Sequence, residues 1–283
     1  MPLSQPKTYT LTGKSPGAVD FGAAGAPDRL ADGSTASPVY TDASGDMVID
    51  FTGIVSGDKS AITDDTAGDS PYLQFTMEFA LTAALPGAVE LFHARTTAKI
   101  GNLLGTVSSG VSYVRVRGGG DATLTGWSSG TALTVGVLYR LQYAMQVATA
   151  TTGKTKARLI RVSDGVVLAE GESTNLDNGT ANPLFHQTGK LSSSSGTVPL
   201  HVSSVALSDA AYAYLDAATD PAEPTTTGIY VQTASGLAVV HPYRMVTGVL
   251  QGGTEGPPAE ATGPFTTAIP SDPVLDPDSS TKA

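Results

Sequence analysis

The chain has 283 residues, with 16 Lys plus Arg against 26 Asp plus Glu, a formal net charge of −10 and a sequence pI near 4.7. That charge argues against the phosphate-neutralising surface of a nucleic-acid binder, and zero cysteines exclude disulfide frameworks, thiol nucleophiles and thiolate zinc sites. No run approaches the roughly 18 apolar residues that cross a bilayer, MPLSQPKTYT lacks the apolar stretch of a secretory leader, and 32 Gly with 18 Pro and no sustained helical period disfavour a helix bundle.

Residues 1–45, rich in Gly, Ala, Pro, Ser and Asp, read as an irregular N-terminal arm with one short strand at 9–12. Strand signals begin at 47–51 and sharpen in YLQFTMEFALT, where Leu73, Phe75, Met77, Phe79 and Leu81 alternate with more polar positions, the period of a strand with one buried face. Pro86-Gly87 then reads as the turn of a hairpin to AVELFHAR. Further strands are expected at 111–117 and 131–135. In VLYRLQYAMQV, Val137, Tyr139, Leu141, Tyr143, Met145 and Val147 form a second alternating face. TKARLIRV, Asp164-Gly165 and VVLAE form a hairpin signal. LFHQT and VPLHVSSVALS follow, on either side of the serine run at 192–195. Strands every 8 to 15 residues over about 160 residues predict an antiparallel two-sheet sandwich or jelly roll. Beyond it, 209–218 offers a short helix within a linker (210–227), and GIYVQTASGLAVVHPYRM forms a small separate hairpin (228–250) turning at Ala234-Ser235-Gly236. The Pro-rich tail 251–283 cannot bury a core of its own and is expected to be ordered only against a neighbouring subunit.

The run from 72 to 209 resembles the concanavalin A-like (laminin G-like) jelly-roll domain of actinobacterial phage minor tail proteins. The residues that carry the resemblance are YLQFTMEFALT, VLYRLQYAMQVATATTGKTKARLIRVSDGVVL and the closing HVSSVALSD; GIYVQTASGLAVVHPY resembles a hairpin that recurs near the C-termini of such proteins. The resemblance implies a jelly roll over 46–209 in a virion structural protein, a minor tail or tail-tip component made in the bacterial host cytoplasm. Its implied partners are other tail proteins, further copies of itself, as in a trimer, and host cell-wall polysaccharide, with no nucleic acid and no membrane insertion. A lectin-like adhesin and a capsid decoration protein are the alternatives. Where the family carries an Asp pair and an aromatic before the closing strand, this chain has Pro199-Leu200-His201, so no metal or ligand role transfers to that edge.

Catalytic signals are weak, and the expectation is a protein that is not an enzyme and needs no cofactor or metal. Glucan-hydrolysing jelly rolls place Glu-x-Asp-x-x-Glu on one strand; this chain has seven glutamates, none in that spacing, and Glu170 with Glu172 reads as a solvated strand edge. Gly126-Trp127-Ser128-Ser129-Gly130 matches a nucleophile elbow in letters but is followed by a strand rather than a helix. Gly118-Gly119-Gly120 has no following helix or Lys-Ser/Thr to cradle phosphate. His93, His186, His201 and His241 are scattered singly, and Asp64, Asp65 and Asp69 in TDDTAGDS read as a solvated turn without calcium-loop spacing. Sugar binding is the strongest remaining chemistry. Trp127 in a polar loop offers a stacking face, with Asp121 beside it, and Asn175, Asp177 and Asn178 form a second polar loop. Tyr230, Tyr243, Phe265 and Leu275 are the expected assembly contacts.

Overall fold

The computed structural model describes residues 6–215, apart from 56, 67, 97–98, 120–121, 149–151, 180 and 192–195, and the backbone of three strands beyond. In chain order the strands of the first unit are β1 (Lys7–Thr8), β2 (Gly17–Ala18), β3 (Arg29–Leu30), β4 (Val39–Ala43), β5 (Asp46–Asp50), β6 (Ser60–Asp65), β7 (Tyr72–Leu81) and β8 (Val89–Arg95). They continue with β9 (Lys99–Ser108), β10 (Val111–Arg117), β11 (Thr131–Leu133), β12 (Leu138–Gln146), β13 (Gly153–Arg161), β14 (Val166–Leu176), β15 (Phe185–Lys190) and β16 (Leu200–Ser208). One antiparallel sheet runs β14-β13-β12-β7-β16-β5-β4-β2, with β1 also paired to β16, and the other runs β11-β10-β9-β8-β15-β6-β3. No α-helix occurs among the described residues. This is an open jelly-roll sandwich.

The two alternating segments build its core. Leu73, Phe75, Met77, Phe79 and Leu81 of β7 are fully buried, and the β7–β12 register sets Phe75 beside Tyr143 and Met77 beside Leu141 on the same inner face. The other sheet answers with Phe92, whose ring stacks on Phe75 at a centroid distance of 4.5 Å and meets Tyr143 edge-on at 5.1 Å. The sheets are joined by these contacts.

Several connections differ from the sequence reading. Pro86-Gly87 does not close a hairpin, because β7 and β8 belong to opposite sheets and the chain crosses the sandwich there. The segment 1–45 is not a separate arm: it supplies β1, β2 and β4 to the first sheet and β3 to the second. Besides β2, β3 and β4, the strands β6 and β9 also lie where no strand is expected. Residues 209–215 form no helix. They run as a strap over the outer face of the first sheet, where Gln74 Nε2 donates to Ala213 O (3.0 Å), Gln142 Nε2 to Leu215 O (2.7 Å), and Thr76 Oγ1 also to Leu215 O. Side-chain amides and a hydroxyl on the sheet satisfy the strap's carbonyls, so it needs no helical hydrogen bonds of its own.

The second unit, residues 220–283, contains a three-stranded antiparallel sheet, β17 (Ile229–Thr233), β18 (Gly236–Val246) and β19 (Val249–Glu255), in that order. β19 takes in the first residues of the segment expected to lack structure of its own. The rest of that tail, 256–283, lies outside the described residues.

Candidate functional site

Alternation that buries one side of a strand leaves the other free for polar chemistry. In β8, Phe92 and Ala94 enter the core, which turns His93 and Arg95 outward. In β15, His186 enters the core against Phe75, with ring centroids 4.5 Å apart, so Phe185 and Gln187 face out. The pairing then aligns side chains from six neighbouring strands. Arg117 of β10 pairs with Asn102 of β9, Asn102 with His93, His93 with Gln187, Gln187 with Thr63 of β6, and Thr63 with Arg29 of β3.

Part of this line is walled into a cleft of about 310 Å³. The wall is the loop after β3, pinned to the start of β6 by Ala31 N donating to Ala61 O (2.8 Å) and Thr35 N to Lys59 O (3.0 Å). Lys59, Arg95, Phe185, Gln187 and His93 face the cleft, with Asp32 on the loop. Phe185 is flanked by two guanidiniums, Arg29 at 5.4 Å and Arg95 at 6.0 Å from the ring centroid. Asp32 is the single carboxylate among the described lining residues; its side chain is 99% exposed and lies 3.6 Å from Arg29.

Beside the cleft, Glu90 accepts from Lys99 Nζ and from Asn102 Nδ2, both at 2.7 Å, and its Oε2 lies 2.9 Å from His93 Nε2. His93, and after it Lys99, outweigh partial burial and hold the Glu90 carboxyl down at about 2. Glu90 is therefore a fixed anion that sets the His93 ring. Both His93 nitrogens are shielded from solvent, so the imidazole forms the floor. Lys59 brings an ammonium and Gln187 a carboxamide to a half-buried aromatic ring, a setting for a ligand with an apolar face and polar substituents.

The expected site residues do not gather here. Trp127 is completely buried, so it is not a stacking platform. Gly126, at φ 87°, approaches β14 so closely that a Cβ there would sit 2.3 Å from Glu170 O, and the same closeness at Gly171 packs the indole inward. The Gly-x-Ser-x-Gly letters record that backbone geometry. Asn178 is a buried clamp, accepting from Gly119 N (3.0 Å) and donating to Gln146 O (3.0 Å) and Lys154 O (3.4 Å). Asp177 caps a turn by accepting from Gly179 N (3.0 Å), and Asn175 is exposed at the end of β14 with φ 59°. Tyr230 and Tyr243 fall on β17 and β18; Asp121, Phe265 and Leu275 fall outside the described residues.

Two of the three aspartates expected in a solvated turn, Asp64 and Asp65, lie on strand β6, and Asp69 follows it. Asp64 on β6 is buried, accepts from Tyr9 OH and from Asp28 N (3.2 Å), and lies 3.3 Å from His186 Nε2. Burial pushes the Asp64 carboxyl up to about 7 and the His186 imidazole down to about 3, so a neutral imidazole stands beside a readily protonated carboxyl in the cluster that pins β1 and the loop before β3. Asp65 pairs with Arg29 at 3.1 Å.

Fold and cleft together define a jelly-roll β-sandwich with a polar groove on one outer face. No protein-family model and no curated protein matches the chain. Among solved structures, it is similar to the alginate lyase Aly36B, with a TM-score of 0.49 and 11% identity over 71% of this chain and 96% of the other. It is also similar to an endo-beta-1,4-glucuronan lyase from the fungus Trichoderma reesei (TM-score 0.43, 10% identity, 72% and 94% coverage) and to lectin II from Ulex europaeus (TM-score 0.40, 10% identity, 64% and 94% coverage). The expectation that the protein is not an enzyme is withdrawn, because polysaccharide lyases stand among these similar structures.

Proposed function

We propose that this protein is a phage minor tail component whose jelly-roll domain contacts host cell-surface glycan. The observation that carries the glycan contact is the cleft over β8, β15 and β6, with its aromatic ring between cationic and amide donors. The tail assignment is supported by the resemblance over residues 72–209 and by the separate three-stranded sheet that follows in the chain. Purified full-length protein should sediment with cell walls of the host bacterium, and mass spectrometry of purified particles should detect it. Failure to bind wall glycan would remove the glycan role; absence from particles would remove the virion role and leave an adhesin. The length distribution of the glycan before and after incubation shows whether the cleft holds the polymer or also cuts it.

A further inference from the structure

We propose that residues 7–28 form a pH-sensitive latch on the sandwich, closed while the Asp64 carboxyl is protonated and loosened when it ionises. The first ground is the setting of that carboxyl. Asp64 is 1% exposed and stands opposite His186 in the β6–β15 register, 3.3 Å from its Nε2. His186 is fully buried against the rings of Phe75 and Phe92, so it gives Asp64 a neutral neighbour and not a counter-charge. The nearby cations are engaged elsewhere. Lys7 Nζ donates to Asp28 Oδ2 and to Asp65 O (2.7 Å), and Arg29 lies 3.1 Å from Asp65 and 3.6 Å from Asp32. A buried carboxyl without a paired cation, beside a second acid in Asp28, is costly as an anion and stable as an acid.

The second ground is what covers it. Tyr9 OH donates to Asp64 Oδ2 and Asp28 N to Oδ1 (3.2 Å), so both ends of the latch close over the same carboxyl. Thr10 N donates to Gly25 O (2.8 Å), and a Cβ at Gly25 would sit 2.9 Å from Thr10 Cβ, so strand and loop pack as one piece. Its ladder to the sheet is short: β1 pairs with β16 over two residues, extended by Tyr9 N donating to Val205 O (2.9 Å). An ionised Asp64 regains water only when this piece lifts, and few backbone hydrogen bonds resist that opening. Asp28 leads directly into β3 and the loop that walls the cleft, so the latch bears on the cleft whatever ligand it takes.

The third ground is that the groups around Asp64 leave it as the one that changes charge with the latch. They are Lys7 and Tyr9 from β1 and its end, Asp28 from the loop, Arg29 from β3, Asp65 from β6 and His186 from β15, with Tyr40 of β4 acting on Tyr9. Burial, and after it Asp64, holds the Tyr9 hydroxyl well above its ordinary range, so it stays a donor. Burial pushes Asp64 from an ordinary 3.8 up to about 7, against the pull of the Tyr9 hydrogen bond. A raised folded value contributes stability that is fully present below 3.8 and is lost as pH rises through about 7. His186 runs the other way: held down from 6.5 to about 3, its contribution is present above 6.5 and lost as pH falls through about 3.

The test is amide hydrogen exchange of the full chain, corrected for the intrinsic rate at each pH, read at the Tyr9 and Thr10 amides and at amides of β12. Protection of Tyr9 and Thr10 should fall about tenfold or more between about pH 6.5 and about pH 8.5, and should lie below that of β12 throughout. Asp64→Asn, an uncharged side chain of the same size, should hold that protection constant over the same range. Protection that does not fall in the wild type, or that falls equally in Asp64→Asn, overturns the proposal. Equal protection of the latch and β12 amides also overturns it, because Asp64 would then meet water only in global unfolding. Should Asp64→Asn not fold, carboxyl-carbon NMR of aspartate-labelled wild-type protein decides. One carboxyl titrating near neutrality in step with the Tyr9 and Thr10 amide shifts supports the latch, and every aspartate titrating below about pH 5 overturns it.

Discussion

The outer faces of the two sheets begin alike and end differently. On the first sheet, Lys154, Lys156 and Arg158 of β13 point away from the core, as Arg95 and Arg117 do on the second. There the strap 209–215 lies across them. Lys156 Nζ sits 4.8 Å from the Tyr212 ring and 4.7 Å from that of Tyr214, and the Arg158 guanidinium is 4.5 Å from Tyr214. Tyr212 OH donates to Glu172 at 3.0 Å, and burial, reinforced by Glu170 and Glu172, raises both tyrosine hydroxyls above their ordinary range. The cations of the first face lie under the strap's aromatic rings. On the second, Arg29 and Arg95 flank Phe185 at the edge of an open groove. A polar, cationic strand face becomes a site through what is left off it as much as through what it carries.

The largest effect should come from the core that supports both faces. Trp127→Ala should cost about 3 to 5 kcal/mol through lost burial and a residual cavity, read by denaturant unfolding, and should reduce glycan binding only as far as it unfolds the protein. A cost below about 1 kcal/mol would put the indole outside the core. Next is the strap. Tyr212→Ala with Tyr214→Ala removes the cation–π contacts and should lower stability by about 1 to 2 kcal/mol. It should also raise the reactivity of the Lys156 amine toward an acylating reagent, because the strap's rings no longer lie over it. Unchanged reactivity would mean that the two rings do not cover the first face.

The smallest effect is the pH response of Glu90. Its folded value of about 2 lies below the ordinary 4.5, so it contributes stability that is present above the ordinary range and lost as pH falls through about 2. Because Glu90 is partly exposed, wild-type protein should lose about 1 to 2 kcal/mol from this group between those limits. Glu90→Gln should lack that loss, and equal acid sensitivity in the two proteins would show that Glu90 is not held by His93 and Lys99.

Much of the fold was legible from local pattern. The buried rows of β7 and β12 follow from period two, and Asp164-Gly165 does join paired strands, β13 and β14. β9 was hidden because Gly101, Asn102 and Gly105 interrupt its apolar alternation, and β6 because its aspartates look like turn residues until Tyr9 and Asp28 cover Asp64. Trp127 misled for a related reason: its Gly and Ser neighbours look solvated, but two close glycine contacts with β14 are what bring the ring inside.

The cleft was half-visible. His93 and Arg95 stand two apart in AVELFHAR, as Phe185 and Gln187 do in LFHQT, so each pair shares a strand face. That the two strands are neighbours, paired His93 to Gln187 across more than ninety residues of chain, is written in neither segment. By itself the sequence determined which side of each regular strand is apolar, because the pleat is a property of the strand alone. Only the tertiary structure decided strand order, register and which outer face stays uncovered, because those are settled when two whole sheets bury their apolar sides against each other.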